Sequence, residues 1–368
     1  MSHEQLVEMA RRGVAHWRAG TQDQVDGVFR VPSTNYYDPG RWQLEMDRIF
    51  RRLPMTLGFT TELRAPGSYR ALEMAGVPVL LTREQDGQVR AYRNELYDLD
   101  ESGTLDGPVT GLTALPAAER AGLIWAILDP ASTLDIDVFL GDYTELLGHL
   151  HFEDCYLVGR QRLDGPNWKI AYDGYLDFYH LPILHRNSFG PNMSSKAIYH
   201  SFGPHQRVCA PDRSYAVLAD QPEEEWAEAD LVSGVWTIFP HISIAGFDAN
   251  GRVFMFSQLF PGATPADSYT VQTFLHSCPP DDDQAGAVAA RMAFLADVVG
   301  NEDYYTGRRI QRAVATGTKP FFHFGRNEGG GQRFHSWVQA VVDADDAELP
   351  ALFASEVPIV SAEVPAAS

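Results

Sequence analysis

The stretch NWKIAYDGYLDFYHLPILHRNSFG, residues 167–190, decides how the rest of this sequence is interpreted. Its first half is typical of a helix that begins at the Asn. On such a helix Asp173, Asp177 and His180 lie at positions i, i+4 and i+7, which share one face. We therefore predict a helix over residues 167–179 that directs two carboxylates and one imidazole to the same side.

A proline and a second histidine follow this predicted helix. Pro182 bends or ends the helix because it has no backbone N–H to donate, and His185 begins the next turn. Two imidazoles across such a bend can converge on one metal ion, and Asp177 can orient the ring of His180. On spacing alone, a structural pair of histidines near an acidic residue is the commoner arrangement, so both interpretations stay open at this point.

The sequence around this stretch predicts an α+β fold with an antiparallel sheet, because helices flank a long run of probable strands. Apolar periodicity predicts helices over residues 1–20, 40–52, 282–315 and 333–343. Short apolar or alternating segments predict strands over residues 69–74, 78–82, 89–93, 123–128, 155–163, 206–219, 234–239, 241–247, 252–260 and 268–277. A change of texture divides the chain into residues 1–130, residues 131–355 and a flexible tail, 356–368.

Composition excludes several classes of function. The chain has 29 Lys and Arg against 49 Asp and Glu, a net charge of -20, which disfavours nucleic acid and anionic membranes as partners. Its three cysteines cannot build a disulfide framework, which favours a reducing, cytoplasmic location. No apolar stretch has the length of a membrane span, and the first twenty residues do not resemble a signal peptide.

The string from Asn167 to His185 resembles the catalytic-domain signature of the Rieske-type ring-hydroxylating oxygenases, in their large (alpha) subunits. In that family N-W-K opens a helix, and two acidic residues precede Y-H-x-x-x-x-H. The resemblance assigns His180 and His185 as ligands of a mononuclear Fe(II), and it carries the family's third, carboxylate ligand onto Asp303. Further positions match the family pattern: Asn301-Glu302, Gln311, Glu328-Gly329 and Phe334-His335-Ser336-Trp337.

The resemblance implies an oxygenase. Two imidazoles and one carboxylate on one side of Fe(II) leave positions open for O₂, beside a small apolar, aromatic or quaternary-amine substrate that is hydroxylated or dealkylated. It further implies a ferredoxin or reductase as electron donor, and a homo-oligomer, commonly a trimer. It also implies a catalytic role for Asp177, which in the family helps connect the iron site to the cluster of a neighbouring subunit.

The N-terminal half resembles the Rieske domain of the same family without the loops that bind its [2Fe–2S] cluster. The family's C-x-H and C-x-x-H pairs are expected after Asn94, but Asn94 runs directly into Glu95-Leu96-Tyr97, and the first 150 residues contain no Cys. The resemblance therefore implies an N-terminal remnant of an all-β Rieske domain, followed by a helix-grip catalytic domain in which a long helix crosses an antiparallel sheet. The cluster is expected from the family, but its ligands are absent.

Three explanations of this absence are open. In the first, the loss is natural, and the iron site uses another electron source or no external electrons. In the second, the protein is a degenerate partner of an intact oxygenase. In the third, the sequence is an edited or mispredicted form of an intact enzyme. Two other functions compete with an oxygenase. One is a non-enzymatic helix-grip protein that binds apolar ligands. The other is a cluster-free iron enzyme, such as a lyase or a cosubstrate-dependent oxygenase, in which Arg308, Arg309 or Arg326 binds a keto acid.

Two groups of residues have a structural interpretation that is commoner than the functional one. Five candidates for a substrate pocket are more often plain core residues: Phe202, Trp236, Ile238, Phe239 and Phe247. His149 and His151 can in principle share a metal, but a surface pair is the commoner arrangement.

Overall fold

The computed structural model describes residues 2–105, 107–248, 251–279 and 281–357. Its helices and antiparallel sheets confirm the predicted α+β class. The strands are β1 (Phe29–Pro32), β2 (Met55–Phe59), β3 (Ser68–Met74), β4 (Val77–Arg83), β5 (Val89–Arg93), β6 (Ser102–Thr104), β7 (Ala114–Leu115), β8 (Ala117–Arg120), β9 (Leu123–Ala126), β10 (Tyr156–Gly165), β11 (Ile198–Phe202), β12 (His205–Cys209), β13 (Val235–Ile238), β14 (Ile242–Asp248), β15 (Arg252–Pro261), β16 (Ser268–His276) and β17 (Phe321–Phe324).

The helices frame these strands. They are α1 (Ser2–Ala19), α2 (Pro39–Glu45), α3 (Ile136–Leu140), α4 (Tyr143–Gly148), α5 (Trp168–Leu176), α6 (Leu181–Leu184), α7 (Arg213–Ala219), α8 (Glu228–Leu231), α9 (Asp282–Val298), α10 (Tyr305–Val314), α11 (Gly329–Asp343) and α12 (Leu349–Phe353). Met46–Phe50 and Val299–Tyr304 are π-helical turns, and Ser33–Tyr36, Thr60–Glu62, Phe152–Asp154, Gly190–Asn192, Glu223–Glu225 and Asp346–Glu348 are 3₁₀ turns. No helix in the described part of the chain is long and apolar enough to cross a membrane.

Seven of the described strands form the antiparallel sheet that carries the candidate site, in the order β10-β16-β15-β14-β13-β12-β11. The helix α9 lies against this sheet, where Val288 and Leu295 pack with Met255 and Phe274. Beyond it, the π-helical turn and α10 continue the same helical run, which matches the long helix predicted over residues 282–315. The sheet and the long helix are the helix-grip arrangement that the resemblance implies.

The N-terminal half contributes two smaller sheets, β6-β3-β4-β5-β7 and β2-β9-β8. Both halves of the chain share one apolar core, which includes Leu6 of α1, Trp125 of β9 and Trp337 of α11. Strand β1 pairs with β17, so the start of the chain also extends to the catalytic half. The predicted boundary near residue 130 stays a prediction, and the predicted tail lies outside the described residues from residue 358 onward.

One predicted strand is wrong in its second half. The segment predicted as a strand over residues 206–219 forms β12 only as far as Cys209, and α7 then begins after Asp212. The Asp212 carboxylate accepts a hydrogen bond from the backbone N–H of Ser214 at 3.0 Å, which caps the new helix. Pro211 ends the strand because it cannot donate to a ladder.

Candidate metal centre

The N-W-K triplet fixes the start of α5. The Asn167 side chain accepts a hydrogen bond from the backbone N–H of Lys169 at 2.9 Å, and its amide donates to the Pro265 carbonyl at 2.7 Å. The Trp168 indole N–H and the Lys169 ammonium both donate to the buried carboxylate of Glu45, at 2.9 and 2.5 Å. The helix that leads to the site is therefore anchored at its first turn by buried, charge-assisted hydrogen bonds.

The far end of α5 differs from the prediction. The helix ends at Leu176 rather than near residue 179, and Asp177 has extended backbone angles of φ -112 and ψ 145. The Asp177 carboxylate accepts the backbone N–H of His180 at 3.1 Å, so a local side-chain hydrogen bond replaces a further helical turn. The prediction that Asp173, Asp177 and His180 share one helix face is thus wrong, although all three side chains line the same cavity.

Pro182 begins a second helix instead of bending the first. It lies in the first turn of α6, where its missing N–H has no helical partner to lose. His180 immediately precedes α6 and His185 immediately follows it, so the two imidazoles flank one short helix. Their ring centroids are 5.2 Å apart.

Three side chains converge at this point. The Nε2 atoms of His180 and His185 lie 3.7 and 3.3 Å from Oδ1 of Asp303. The three ligand atoms all lie within 4.8 Å of one another. Two adjacent ligands that are each about 2.1 Å from one metal ion are separated by about 3 Å, so the observed spacing is close to that of a bound triad.

A carboxylate holds the other nitrogen of each ring. Nδ1 of His180 is 2.7 Å from Oδ1 of Asp177, and Nδ1 of His185 is 2.5 Å from Oε2 of Glu302. A carboxylate accepts hydrogen bonds, so each Nδ1 donates its proton to its carboxylate, and Nε2 is the nitrogen that each ring has left for a metal ion. This is the arrangement in which outer carboxylates orient metal-binding imidazoles.

Glu302 is a residue of the site to which the sequence analysis gave no role, although it named the residue as part of the family pattern. The π-helical turn over Val299–Tyr304 lets two consecutive carboxylates reach His185, one at each ring nitrogen. Burial by itself lowers the pKa of His185, but the hydrogen bonds and charges of Asp303 and Glu302 outweigh burial and raise it. The adjacency of Glu302 and Asp303 was the available signal, but it could not show that both side chains point to one ring.

The residues present fit a mononuclear iron. Two imidazoles and one carboxylate that together line a cavity are the donor set that is typical of non-heme Fe(II) sites. The ligand roles assigned to His180, His185 and Asp303 from the sequence remain predictions that this geometry supports.

The residues present do not fit a [2Fe–2S] cluster. In the described part of the chain, the groups of side chains that can hold a metal contain no cysteine. Asn94 closes a short turn where the cluster loops are expected: its side chain accepts the backbone N–H of Tyr97 at 2.9 Å and donates to the Tyr97 carbonyl at 2.8 Å. The cysteine thiols lie elsewhere, and Cys155 donates to the His151 carbonyl at 3.4 Å.

The metal-ligand candidates line a cavity of about 700 Å³ between the large sheet, α5, α9 and β17. Apart from Arg291, its walls near α9 are apolar, with Phe247 and Met255 on the sheet and Phe294 and Leu295 on the helix. Of the aromatic candidates named from the sequence, only Phe247 lines this cavity. The others belong to the apolar core or pack against it: Phe202, Trp236, Ile238 and Phe239.

A second buried network supports the cavity from the side of α11. Nε2 of His335 lies 2.8 Å from a carboxylate oxygen of Asp173, and the Tyr36 hydroxyl lies 3.2 Å from the other oxygen. Burial, the charge of Asp173 and the hydrogen bond to it raise the pKa of Tyr36 well above its ordinary value, so Tyr36 is a proton donor here. This network joins α5 to α11.

The remaining candidates lie away from the triad. Arg308 donates to the Asp164 carbonyl, Arg309 lies over the ring of Tyr305 and Arg326 donates to the Val25 carbonyl. None of the three lines the described cavity, so it offers no place where they can bind a keto acid.

The two surface histidines face an acidic residue. Both lie beside the carboxylate of Glu228, with Nδ1 of His149 in contact and Nε2 of His151 at 3.5 Å. This arrangement is the surface pairing that the sequence analysis regarded as the commoner one.

Comparison with known proteins identifies the family. Residues 152–344, more than half of the chain, match the family described as "Ring hydroxylating alpha subunit (catalytic domain)". The chain belongs to this family. The matched region contains α5, α6, the π-helical turn and α11, which are the elements that build the site.

Curated relatives of this ring-hydroxylating family are monooxygenases and dioxygenases by name. The chain is 26% identical over 200 residues to a chloroplastic choline monooxygenase of Beta vulgaris, over 42% of this chain and 44% of that protein. It is 35% identical over 190 residues to the alpha subunit of a chlorobenzene dioxygenase of Cupriavidus sp. (strain PS12), over 39% of this chain and 42% of that protein. The aligned segments thus span less than half of these relatives.

Solved structures of Rieske oxygenases share the fold over most of the chain. A quaternary ammonium Rieske monooxygenase superimposes with a TM-score of 0.69 at 16% identity, covering 87% of this chain and 96% of that chain. Naphthalene 1,2-dioxygenase from Rhodococcus sp. superimposes with a TM-score of 0.66 at 17% identity, covering 93% of this chain and 99% of that chain. At these identities the likeness describes the fold, and it extends across both halves of this chain.

Proposed function

We propose that this chain is a mononuclear non-heme iron oxygenase that hydroxylates or dealkylates a small apolar substrate with O₂. The observation that carries the proposal is the convergence of His180, His185 and Asp303 at one wall of a cavity with apolar walls. His180, His185 and Asp303 would hold Fe(II) at the wall of this cavity, where the metal would supply O₂ activation beside the substrate. The names of the relatives, which act on aromatic compounds or on choline, support the same reaction class.

The protein's own groups have separate tasks in this proposal. Asp177 and Glu302 hold the protons on Nδ1 of His180 and His185, which keeps both Nε2 lone pairs available. The apolar walls bind the substrate and exclude water from it. Asp173 lines the cavity and is paired with His335, so it fixes α5 relative to α11 rather than binding the metal.

Electron delivery is assigned to a separate protein. The described residues offer no ligand set for a [2Fe–2S] cluster, so we propose that an external ferredoxin or reductase supplies the electrons. The partly exposed side chain of Asp177, which is hydrogen-bonded to His180, is the proposed point of entry. A homo-oligomer such as a trimer belongs to the same proposal, by resemblance to the family.

A non-enzymatic ligand-binding protein is the competing function, because the cavity by itself is sufficient for it. The convergence of two imidazole Nε2 atoms on one carboxylate argues against it, since ligand binding alone does not require that geometry. The same geometry argues against a degenerate oxygenase subunit, because a subunit without catalytic activity does not require it either.

One experiment separates these functions. The chain is loaded with Fe(II) under argon, given indole as a probe substrate and a chemical reductant, and exposed to ¹⁸O₂. We expect ¹⁸O in hydroxylated indole, and we expect none with His180→Ala. His323→Ala, which changes a cavity-lining histidine outside the triad, is the matched control and is expected to retain the activity. Indole binding without ¹⁸O incorporation in the unmodified chain contradicts the oxygenase proposal.

A further inference from the structure

The cavity has two ends of different chemistry. One end is the triad, with Asp303 in the π-helical turn that follows α9, and the other end lies along α9 and β14. Arg291 and Asp303 are twelve residues apart on one helical run, which corresponds to about 18 Å at about 1.5 Å per residue. A ligand that fills the cavity therefore meets the triad with one part and the region of Arg291 with another.

Arg291 is the single Lys or Arg among the described residues that line this cavity. Its guanidinium carbon lies 5.8 Å from the centre of the Phe247 ring, and Phe247 itself lines the cavity. No carboxylate in the described part of the chain lies within ion-pairing distance of Arg291. Arg291 is exposed to solvent, so its guanidinium is available to an anionic group that enters this end of the cavity.

The carboxylates of the cavity lie elsewhere. Asp173 and Asp177 are at the end of α5, Asp303 is in the triad and Glu328 precedes α11. Along α9 and β14 the lining residues are otherwise apolar or small. A cationic ligand in that part of the cavity finds a guanidinium and no carboxylate, whereas an anionic group finds a partner.

A buried hydroxyl also points to a ligand. Ser243 lines the cavity with 1% of its surface exposed, and its Oγ has no hydrogen-bond partner among the described residues. Ser243, Ala245 and Phe247 alternate along β14 and therefore face the same side of the sheet. An unsatisfied buried hydroxyl is costly unless a bound group pairs with it.

We propose that Arg291 selects apolar acids as the substrates of this site. The apolar body of such a substrate lies between α9 and β14, and its carboxylate or sulfonate pairs with Arg291 at the end far from the triad. Ser243 forms a hydrogen bond with the enclosed part of the molecule. This inference rests on the proposed function for the identity of the reaction, but it assigns a substrate class that the function alone does not.

Two fluorescent probes test the inference, because they differ in their anionic group. 8-Anilino-1-naphthalenesulfonate carries a sulfonate, and N-phenyl-1-naphthylamine has the same rings without it. Both are titrated into the metal-free full chain. We expect Arg291→Ala to weaken binding of the sulfonate probe about tenfold, in line with the loss of a hydrogen bond between charged groups, and to change binding of the neutral probe less than about twofold. Arg291→Lys is expected to restore part of the loss.

Two further variants make the test specific. Arg309→Ala removes an arginine that also lies over an aromatic ring but does not line the cavity, and it is expected to leave both affinities unchanged. Ala245→Trp fills the cavity and is expected to weaken both probes. The inference is overturned if Arg291→Ala leaves the sulfonate probe unaffected, if it weakens both probes equally, or if Ala245→Trp leaves the sulfonate probe bound.

The binding test of Arg291 can fail or succeed independently of the proposed function, since neither fluorescent probe needs iron in order to bind. Binding of the sulfonate probe that depends on Arg291, in a chain that binds no iron, supports the substrate class and removes the oxygenase. A chain that binds iron and oxidises indole, but shows no dependence on Arg291, overturns this inference alone.

Discussion

The turn region around α6, residues 177–185, and the turn that follows β5 are two places where the family resemblance predicts metal ligands. In the first turn, His180 and His185 meet Asp303, and two further carboxylates hold their rings. In the second turn, Asn94 bonds to the backbone of Tyr97, and the chain returns as β6 without a cysteine. Both regions keep the family's fold, because the fold depends on many apolar contacts, whereas the chemistry depends on a few polar side chains.

The largest expected effect tests the first turn directly. We expect His185→Ala to lower the affinity for Fe(II) at least 100-fold, which is about 2.7 kcal/mol, because it removes one of three ligands. The measurement is a competition titration with a chelating dye under argon. His323→Ala is the control, and an unchanged affinity in His185→Ala would show that iron binds somewhere else.

The next effect concerns the anchor of α5. We expect Lys169→Met to destabilise the fold by about 2 kcal/mol, because it removes one of the two cations that pair with the buried Glu45 carboxylate and leaves Arg41, at 2.8 Å, as the other. The double variant Lys169→Met with Glu45→Leu is expected to recover part of this loss, since it removes the buried charge but also the acceptor of Arg41 and Trp168. Urea unfolding curves measure both free energies. Equal destabilisation by the single and double variants would contradict the assigned role of the ion pair.

The pH dependence of stability distinguishes the two halves of the chain. Burial lowers the pKa of three histidines in the large sheet or beside it: His200 to about 3, His205 to about 4 and His241 to about 3. The unfolded chain takes up these protons below about pH 6.5, while the folded chain stays neutral at these positions, so stability is full above that pH and is lost as the pH falls. Each histidine contributes a slope of about 1.4 kcal/mol per pH unit.

His241→Gln tests this origin of the acid sensitivity. We expect the slope of unfolding free energy against pH, between about pH 6 and pH 4.5, to decrease by about 1.4 kcal/mol per unit. The exposed His3 is the control position, since His3→Gln is expected to leave the slope unchanged. The N-terminal sheets, residues 55–126, contain no histidine, so this sensitivity is a property of the catalytic half. A slope that His241→Gln does not change would refute the assignment.

A smaller effect is expected at Glu302. Glu302→Gln keeps the size of the side chain but weakens its hold on Nδ1 of His185, and we expect Fe(II) affinity to fall about 10-fold, towards the low end of effects on outer partners of metal ligands. Asp297→Asn, a matched change on the exposed side of the same helical run, is the control. If Glu302→Gln lowered the affinity for Fe(II) as much as His185→Ala does, Glu302 would instead be a metal ligand.

The smallest effect concerns the second turn. We expect Asn94→Ala to destabilise the fold by about 1 kcal/mol, because it removes side-chain hydrogen bonds that close a surface-facing turn. The affinity for Fe(II) is expected to remain unchanged. If Asn94→Ala lowered the affinity for Fe(II), the turn after β5 and the metal centre would be coupled. We expect the two regions to be independent.

The sequence predicted which three residues come together more accurately than it predicted the local structure around them. His180, His185 and Asp303 were assigned by resemblance, and the structure brings them together, yet the helix that was meant to align Asp177 with His180 ends at Leu176. Periodicity places apolar faces well, but it cannot show where a side chain such as Asp177 captures the backbone and ends a helix.

The parts of the site that depend on tertiary placement were beyond sequence reasoning. Glu302 and Asp303 reach opposite nitrogens of one ring because of a π-helical turn, which has no composition signal. Among the aromatic candidates for the pocket, Phe247 lines the cavity and Trp236 lies in the core, although their neighbourhoods in sequence look alike. The side of a sheet that faces the cavity depends on register, which is set by strands far apart in the chain.

The central claim is that this chain has one iron site and no iron–sulfur cluster. Its most direct test is the amount of iron and acid-labile sulfide per chain, measured on protein purified and reconstituted without air. The account predicts about one iron and no sulfide per chain, with the iron lost in His185→Ala. No iron after reconstitution with Fe(II) would contradict the metal site, and about three irons with two sulfides would contradict the absence of the cluster.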